Sequence, residues 1–356
     1  MTVRFRRSKP IVGLDIGSSA VKAVELRPAG DGFRVVAFGT APIPPDSIVD
    51  GAIIDGVSVA EAIRRVFENP AFRTKEVAAS LSGHAVIVKK ISLPIMTEQE
   101  VAESIYWEAE QYIPFDIQDV NLDYQILTPG AMEEARSAMD VLLVAAKKDK
   151  IADYTGVIAQ AGRVPIIVDV DAFALQNVYE VNYRPSAEAV VALLNAGASA
   201  VNINIVGGDQ SLFTRDISLG GNAYTEAVQK EFNLPFEAAE RLKRGEPVDG
   251  VAFEDVRSVL QAMNENVLLE IQKTFDFFKA TTAAERIDRI LVSGGASRVD
   301  RFRSMLEERF DTPVEAFDPF RTIDFDPAAL GVENRDEVVP TAAVAVGLAL
   351  RRAGDR

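Results

Sequence analysis

The stretch GLDIGSSAVK, near the start of the chain, combines a carboxylate, a glycine, two hydroxyls and a lysine. Asp15 ends an apolar run, and Gly17, Ser18 and Ser19 follow it as a turn. Glycine lets the backbone approach a ligand, successive N–H groups and hydroxyls can face an anion, and Lys22 can reach back to it. Asp15 is then placed to hold Mg²⁺ through water, since Mg²⁺ gives up its hydration reluctantly. The alternative for this stretch is an ordinary β-hairpin with a glycine turn.

Three further segments have the composition expected around a phosphate or a nucleoside. LLNAGAS, residues 193–199, supplies a second turn of small residues after a strand. LVSGGASRVDRF, residues 291–302, is a strand, a paired-glycine turn and the start of a helix, which suits a nucleoside lying against backbone. PTAAVAVGLALR, residues 340–351, is a helix of small residues that can pack close to a hinge. Together these segments predict a cleft that holds the phosphates of a nucleotide.

The elements that position these turns are strands with helices between them. Strand-like runs include IVGLDIG, AVELRP, AVVALLNA, AVNINIV and RILVSGG, and their alternation with helices indicates an α/β protein with mixed sheets. IVGLDIGSSAVKAVEL and VALLNAGASAVNINIV share one pattern of strand, small-residue turn and strand. They are separated by about half the chain, and no shorter period recurs, so the pattern predicts a duplicated lobe.

The segment from about Ala85 to Arg163 has a different texture. It contains the strand VIVKKISLP, the acidic helix TEQEVAESIYWEAEQYI and the strands NLDYQIL and DVLLVAAKK. Apolar residues at helical spacing, Val101, Ile105 and Ala109 with Trp107 and Tyr112 nearby, predict an amphipathic helix that Thr97 opens. We therefore expect a small inserted subdomain.

Length, charge and residue usage exclude several classes of protein. The 356 residues suit two domains, and a formal net charge of -15 argues against a nucleic-acid partner. The absence of cysteine excludes disulfides, thiolate catalysis and cysteine-ligated metals. His84 is the single histidine, so we expect it to be packed or at the surface. Nothing resembles a zinc site, a Ser-His-Asp arrangement or the paired carboxylates of a glycosidase.

No segment resembles a signal peptide or a membrane span, which predicts a soluble protein inside the cell. The first residues form a basic run of Arg4, Arg6, Arg7 and Lys9. This run either touches anionic lipid or is simply a disordered, soluble start.

In order and spacing, the turns resemble the phosphate-one, phosphate-two, adenosine and second connecting motifs of one superfamily, that of actin, the heat-shock chaperone ATPases and the sugar kinases. VDVDAFALQN, residues 168–177, resembles the first connecting motif. Within the superfamily the chain is similar to the FtsA-like branch. The stretch ISLPIMTEQEVAESIYWEAEQYIPF followed by NLDYQIL resembles a segment typical of the PilM family of type IV pilus assembly proteins.

The resemblance implies a two-lobed actin-like ATPase fold of the α/β class, with an inserted subdomain of the FtsA and PilM type in the first lobe. Residues 10–85 and 164–188 then form the first lobe, and residues 340–356 pack back on it. Residues 86–163 form the inserted subdomain, and residues 189–339 form the second lobe.

The resemblance also implies ATP and Mg²⁺ as ligands and assigns a role to individual residues. Ser18, Ser19 and Lys22 would contact the β-phosphate region, and Asp15 the metal shell. The remaining assignments are Gly197 and Ser199 in the second phosphate turn, Gly220 and Gly221 before a second-lobe helix, Glu240 and Lys243 on the ribose, Arg244 near the base, and Gly294, Gly295, Ser297 and Arg298 in the adenosine loop. The alternative for Glu240, Lys243, Arg244 and Arg298 is an exposed, charged surface.

One residue departs from the superfamily pattern, because Asn195 occupies the place where the second phosphate turn usually has an aspartate. An amide contributes to a metal shell neither the charge nor the base strength of a carboxylate. We therefore expect at most slow ATP hydrolysis. Asp169 or Asp171 could orient the attacking water, although an Asp after a strand is as often a helix cap.

Two functions follow from the resemblance. The first is a cytoplasmic ATP-binding scaffold of the pilus assembly platform, held peripherally at the inner membrane by the cytoplasmic N-terminal tail of a PilN-like protein, with other platform proteins as further candidate partners. The second is a catalyst, either an ATPase or a small-molecule kinase; a related FtsA-like scaffold in cell division or type II secretion is a further alternative. We expect the turn from Ile113 to Phe115 and the apolar face of the preceding helix to line the peptide groove, unless they form the subdomain core.

Overall fold

The computed structural model describes residues 10–127, 138–248, 250–282, 286–352 and 354. The basic run at the start and the last few residues of the predicted 340–356 segment lie outside this part. The strands are β1 (Val12–Ile16), β2 (Ala20–Ala29), β3 (Gly32–Pro42), β4 (Ile48–Val49), β5 (Ala52–Ile53), β6 (Glu76–Leu81), β7 (Val86–Pro94), β8 (Val120–Ile126), β9 (Ala138–Lys147), β10 (Val164–Val170), β11 (Val190–Ala196), β12 (Val201–Gly207), β13 (Gln210–Ile217), β14 (Arg289–Ser293) and β15 (Val314–Ala316).

The helices alternate with these strands, as the sequence predicts for an α/β protein. They are α1 (Gly56–Val66), α2 (Glu98–Ala109), α3 (Lys148–Gln160), α4 (Asp171–Tyr183), α5 (Gly221–Phe232), α6 (Phe236–Lys243), α7 (Phe253–Thr281), α8 (Phe302–Phe310), α9 (Arg335–Val338) and α10 (Ala343–Ala349). Short 3-10 turns cover Gly83–Ala85, Ile117–Asp119, Gly295–Arg298 and Val339–Thr341. No helix of the described residues combines the length and the apolar content that a membrane span needs.

Two five-stranded sheets carry the same hairpin. The first has the order β10-β6-β1-β2-β3, and the second has the order β13-β12-β11-β14-β15. In the first, β1 is antiparallel to β2 and parallel to β6. In the second, β11 is antiparallel to β12 and parallel to β14. The duplicated lobe that the sequence predicts is therefore present, with each small-residue turn at the end of the central hairpin of its sheet.

A third, three-stranded sheet of order β7-β9-β8 lies between the first-lobe segments in sequence. Helix α2 packs on it through Val101, Ile105 and Ala109, which are all buried, as their spacing predicts. Thr97 accepts a hydrogen bond from the N–H of Glu100, and the Glu100 carboxylate accepts from the N–H of Thr97, which completes a capping box. The inserted segment thus has its own small hydrophobic core.

The central hydrophobic core joins the two large sheets. It contains residues from β2, β11 and β14 together with α4 and α10. Helix α10 is buried along its whole length because its small side chains allow close approach. A β-carbon on Gly347 would lie 1.8 Å from the carbonyl oxygen of Ala174 in α4, and one on Gly13 would lie 2.0 Å from that of Ala345. The small-residue helix therefore packs at the junction of the two sheets.

Candidate functional site

The turns of the two hairpins face each other across the junction of the sheets. In each turn a glycine N–H donates to the carbonyl three residues further on, at 3.2 Å from Gly17 and 2.8 Å from Gly197. The hydroxyl oxygens of Ser18 and Ser199, one from each turn, are 2.6 Å apart. The serine hydroxyls and the backbone of both turns therefore border the same space. The Ser19 side chain is exposed, and its carbonyl accepts a hydrogen bond from the N–H of Ile43.

Asp15 and Lys22 lie directly opposite each other on β1 and β2. Lys22 Nζ donates to Asp15 Oδ2 at 2.9 Å, and each side chain is 14% exposed. A β-carbon on Gly17 would lie 3.6 Å from Lys22 Nζ and 3.7 Å from Asp15 Oδ1. The absence of a side chain on Gly17 therefore leaves a space that this ammonium and this carboxylate both border, with opposite charges available to a phosphate and to a cation.

In the second hairpin two amides occupy the places of the aspartate and the lysine. Asn195 lies opposite Asn202, and Asn195 Nδ2 donates to Asn202 Oδ1 at 3.0 Å. Asn202 Nδ2 donates in turn to Asp216 Oδ1 at 2.9 Å. The second hairpin therefore has an uncharged pair, Asn195 and Asn202, where the first hairpin has the charged pair Asp15 and Lys22.

The structure separates the two aspartates of the first connecting motif. The Asp171 carboxylate accepts a hydrogen bond from Ser80 Oγ at 2.5 Å. Burial and, after it, the Asp15 charge raise the pKa of Asp171, and the hydrogen bond from Ser80 opposes the rise, so that the pKa is about 7. Asp171 therefore belongs to the cleft with Asp15. Neither aspartate caps helix α4, whose N-cap, Val170, makes no side-chain cap bond.

Asp169 makes a different contact from Asp171. Its Oδ2 lies 3.3 Å from Arg351 Nε, just beyond the end of α10, in an ion pair that is largely buried. Burial raises the pKa of Asp169, and the Arg351 charge opposes this rise. The carboxylate is thus paired with a cation that follows α10.

The second hairpin turn is braced by the start of α5. Gly221 and Asn222 donate their N–H groups to the carbonyls of Gly197 and Ala198, at 2.9 and 2.7 Å. A β-carbon on Gly220 would lie 2.5 Å from the carbonyl oxygen of Ala198. A glycine is therefore needed at position 220, because the two backbones lie too close together for a side chain. The hydrogen bonds from the start of α5 hold the second turn in place.

Glu240 and Lys243 are not an exposed charged face. Lys243 Nζ donates to Glu240 Oε2, to Thr225 Oγ1 at 2.9 Å and to the Gly221 carbonyl at 3.1 Å. Burial opposes the charged form of Glu240, but Lys243 and Thr225 outweigh it, and the pKa of Glu240 is lowered. Arg244 pairs with Glu240 at 3.0 Å and has a side chain that is 63% exposed. The charged pair therefore lies against the start of α5, and the exposed guanidinium of Arg244 is bound to the same carboxylate.

The glycine turn after β14 completes this side of the cleft. Gly294 has a φ of 88°, and a β-carbon there would lie 2.1 Å from the carbonyl oxygen of Ala196. Only glycine satisfies both constraints. The buried Ser297 hydroxyl donates to the Gly294 carbonyl at 2.7 Å, so it shapes the turn from within. Gly295 and Arg298 are exposed.

Several residues that shape the cleft carry no motif of their own. Ser80 holds Asp171, Thr225 links Glu240 to Lys243, and Asn202 and Asp216 hold Asn195. Only Asn202 had an available signal, because it follows its turn at the place that Lys22 takes in the first hairpin. Among the described residues no cluster of three or more acidic or histidine side chains is arranged to hold a metal. A metal ion in the cleft would therefore also need oxygen ligands from water or from a bound phosphate.

The expected lining of the peptide groove is wrong in part. Ile113 and the apolar face of α2 lie in the core of the three-stranded sheet, so they are not available to a ligand. A separate groove of about 570 Å³ lies beside the edge strand β8. It is lined by Tyr106, Ile117, Leu122 and Lys148 among others, where the inserted sheet meets the start of α3.

The chain matches one known protein family along most of its length. The family described as type IV pilus assembly protein PilM matches residues 13–353. The chain belongs to the PilM family. A solved structure titled PilM-PilN type IV pilus biogenesis complex is 29% identical, with a TM-score of 0.85, and the match covers 97% of this chain and 98% of that one.

More distant structures share the fold. The ethanolamine utilization protein EutJ from Carboxydothermus hydrogenoformans is 14% identical, with a TM-score of 0.56 over 96% of this chain and 92% of that one. MreB5 of Spiroplasma citri bound to AMPPNP is 14% identical, with a TM-score of 0.51 over 95% of this chain and 94% of that one. The two-lobed actin-like fold expected from the sequence is therefore confirmed.

Proposed function

We propose that this PilM-family protein is a nucleotide-binding scaffold of the type IV pilus assembly platform, which docks a PilN-like tail. The observation that carries the nucleotide part is the approach of the two turns, with Ser18 Oγ and Ser199 Oγ at 2.6 Å. A ligand whose phosphates enter between them touches both sheets at once. Its binding energy then sets the relative position of the two lobes.

ATP with Mg²⁺ fits the residues of this cleft. Lys22, the hydroxyls of Ser18 and Ser199, and the N–H groups of the two turns would hold the phosphates, because Gly17 leaves the space beside them open. Asp15 would hold Mg²⁺ through its water shell, since Mg²⁺ takes one or two carboxylates and otherwise keeps water and phosphate oxygens. Mg²⁺ would offset phosphate charge.

The nucleoside would lie between α5, α6 and the turn after β14. A β-carbon on Gly221 would be 3.4 Å from Lys243 Nζ and 3.6 Å from the Ala296 side chain, so these three elements converge on one point. Glu240 and Lys243 present a carboxylate and an ammonium for ribose hydroxyls. Arg244 and Arg298 are both exposed and would cover the base by cation–π contact of about 1 kcal/mol.

Hydrolysis is not the favoured role of this cleft. Asn195 lacks charge, and one hydrogen of its amide is committed to Asn202. Asp171 is the remaining candidate for orienting water, and a pKa of about 7 leaves much of it protonated near neutral pH. We therefore infer that the nucleotide acts through binding and that any turnover is slow.

We assign residues 10–85 and 164–188 to the first lobe, residues 86–163 to the inserted subdomain and residues 189–339 to the second lobe, with residues 340–356 packed back on the first. Each of the first two sheets and the inserted sheet has its own core in support of this division. The protein would stay in the cytoplasm and reach the inner membrane only through its partner.

The PilM-PilN complex, at 29% identity, supports a PilN-like peptide as the docked partner. The groove beside β8 suits an extended peptide, because β8 pairs only with β9 among the described strands and its other edge is open. Main-chain hydrogen bonds along that edge would give affinity, while Tyr106, Ile117 and Leu122 would receive apolar side chains.

The nucleotide assignment is tested by thermal unfolding with ADP or AMPPNP and Mg²⁺. A ligand at about 100 times its Kd adds about 2.7 kcal/mol to the free energy of unfolding, so a clear rise in Tm is expected for the wild type. Asp15→Ala and Lys22→Ala should abolish the rise, and Lys230→Ala, at an exposed lysine of α5, should leave it intact. Equal shifts in the wild type and both cleft variants would show that the nucleotide binds elsewhere.

The docking assignment is tested with a fluorescent peptide of the N-terminal cytoplasmic residues of the cognate PilN-like protein. Leu122→Glu places a charge in the groove and should weaken the peptide at least tenfold. Gln125→Glu adds the same charge at an exposed position of β8 and serves as the matched control. An unchanged Kd for Leu122→Glu would exclude this groove.

A further inference from the structure

Four polar side chains form a row across the second sheet. Strand register places Ser293 beside Asn195, Asn195 beside Asn202, and Asn202 beside Asp216, on the adjacent strands β14, β11, β12 and β13. Cross-strand neighbours lie on one face of a sheet, so the four side chains point the same way. Ser293 precedes the glycine turn of the proposed nucleoside site, and Asn195 precedes the second phosphate turn.

From Asn195 to Asp216 the hydrogen bonds run in one direction, at 3.0 Å between the two amides and 2.9 Å from the second amide to the carboxylate. At the other end of the row, Ser293 Oγ lies 3.1 Å from the Leu194 carbonyl oxygen and 3.4 Å from Asn195 Oδ1. An ionised carboxylate only accepts hydrogen bonds, so Asp216 requires the NH₂ group of Asn202 to face it. Asn202 then turns its oxygen to Asn195, whose NH₂ faces Asn202 and whose oxygen faces Ser293. Asp216 therefore sets the orientation of the amide at the phosphate turn.

The row ends on the first lobe. The other oxygen of Asp216 accepts a hydrogen bond from the backbone N–H of Gly83, in the 3-10 turn that leads into β7 of the inserted sheet. Gly83 has a φ of 76°, a conformation that favours glycine. Beside this contact, His84 Nε2 and Ser218 Oγ are 3.2 Å apart. The end of β13 thus contacts the turn from which the inserted subdomain begins.

We propose that Asp216 is a positioning residue that couples the nucleotide cleft to the inserted subdomain, by orienting Asn195 on one side and holding the N–H of Gly83 on the other. The coupling rests on the proposed function, because it links the nucleotide site to the peptide site. A ligand that shifts the second phosphate turn moves the row, and the row moves the point from which the inserted sheet departs. Coupling between two binding sites is reciprocal, so a docked peptide changes the affinity for nucleotide by the same factor.

The experiment measures the Kd of the fluorescent PilN-like peptide with and without Mg²⁺–AMPPNP, and the Kd of the nucleotide alone. Asp216→Ala removes both contacts of the carboxylate. Asn202→Asp/Asp216→Asn moves the charge by one strand and keeps every donor matched, because the new carboxylate accepts from both neighbours and the new amide oxygen accepts from Gly83. Asp209→Ala makes the same truncation at an exposed position of the β12–β13 turn and is the control.

In the wild type and in Asp209→Ala, nucleotide should change the peptide Kd by about fivefold or more. In Asp216→Ala the ratio should fall to near one, while each ligand alone still binds. Asn202→Asp/Asp216→Asn should recover the wild-type ratio, which a merely structural loss of a buried carboxylate does not predict. Thermal melts check that each variant is folded.

The ratio in question is the peptide Kd without nucleotide divided by the peptide Kd with nucleotide. A wild-type ratio in Asp216→Ala, or a ratio near one in the double variant, would overturn the role of Asp216. If the wild type binds both ligands with a ratio of one, the coupling is wrong and the proposed function stands. If the wild type binds neither ligand, the proposed function itself is wrong and the coupling goes with it.

Discussion

Asp171 lies where carboxylates from both lobes come close. Burial is the main cause of its raised pKa, and the charges of Asp15 and Asp216 add to it, while Ser80 and Ser82 donate hydrogen bonds to the carboxylate. The Tyr154 hydroxyl donates to the Gly51 carbonyl at 3.2 Å, and burial followed by the Asp171 charge raises the pKa of that tyrosine too. An uncharged Asp171 relieves this crowding, so the nucleotide-free cleft favours the proton.

The proton on Asp171 makes stability depend on pH. In the unfolded chain the carboxyl ionises near 3.8, and in the folded protein at about 7. Between these values the folded state binds more protons, so the free energy of unfolding falls as pH rises. Asp171→Asn has no proton to lose. Its midpoint in urea should exceed that of the wild type by an amount that grows up to about pH 7 and is constant above it.

The control for this prediction is Asp209→Asn, which changes an exposed carboxylate in the β12–β13 turn. Its difference from the wild type should be small and nearly independent of pH. A gap for Asp171→Asn that stays the same from about pH 5 to about pH 8 would contradict the raised pKa.

Sequence reasoning identified cleft residues whose chemistry is local and missed those brought there by register. Gly294 was predicted from the glycine pair of its turn and Gly220 from the resemblance to the superfamily, because both signals lie within a short window of sequence. Ser80 and Asp216 were not, since each reaches the cleft through strands whose pairing a single sequence does not specify. Asp169 was expected in the cleft, but its partner, Arg351, comes from the far end of the chain.

At the scale of elements, the same contrast holds. The inserted strand predicted at VIVKKISLP is β7, Val86–Pro94, and Thr97 opens the helix that follows it, because alternation and capping are local signals. The 29-residue helix α7 was not predicted, since no glycine turn or connecting motif marks it. From the sequence, the apolar face of α2 could either line a groove or pack in the subdomain core. Only the sheet beneath the helix decides between these two possibilities.

The packing of α10 depends on a glycine at one position. Gly347→Ala places a methyl group 1.8 Å from the carbonyl oxygen of Ala174, and the helix must move to relieve this overlap. Overpacking of this kind costs about 1–3 kcal/mol of the free energy of unfolding. Chemical denaturation should show the loss as a lower midpoint.

Helix α3 offers a matched control at Gly156, which is exposed and has open space where a β-carbon would lie. Gly156→Ala should stabilise the protein by about 0.5–1 kcal/mol, because alanine favours the helix over the unfolded chain. The same substitution in two helices is thus expected to have opposite signs. A loss of stability in both, or in neither, would show that close approach does not decide the effect at Gly347.

At the scale of the whole molecule, the position of the lobes can be fixed chemically. The chain has no cysteine, so Ser18→Cys/Ser199→Cys introduces one defined pair where two hydroxyl oxygens are 2.6 Å apart. Oxidation should join the two turns, since side-chain atoms this close are within reach of disulfide geometry. The oxidised protein should lose nucleotide affinity and regain it on reduction.

Added nucleotide should also slow the oxidation, because phosphates between the turns hold the two sulfurs apart. Ser19→Cys/Ser199→Cys, with the exposed neighbour of Ser18, is the control and should form the bond more slowly. Rapid crosslinking that leaves nucleotide binding intact would place the ligand outside the space between the turns.

The central core has a consequence for synthesis on the ribosome. Strands β1 and β2 precede the other described elements in sequence, yet one side of their sheet is covered by α10, which follows all of them. At about 5–20 residues per second the early strands wait on the order of tens of seconds for that cover. The core on β11 to β14 needs only segments from the second half of the chain before α10, so it can close earlier. Nascent chains should therefore expose an apolar surface of the first sheet until α10 has been translated, and this is the stage at which a chaperone would bind.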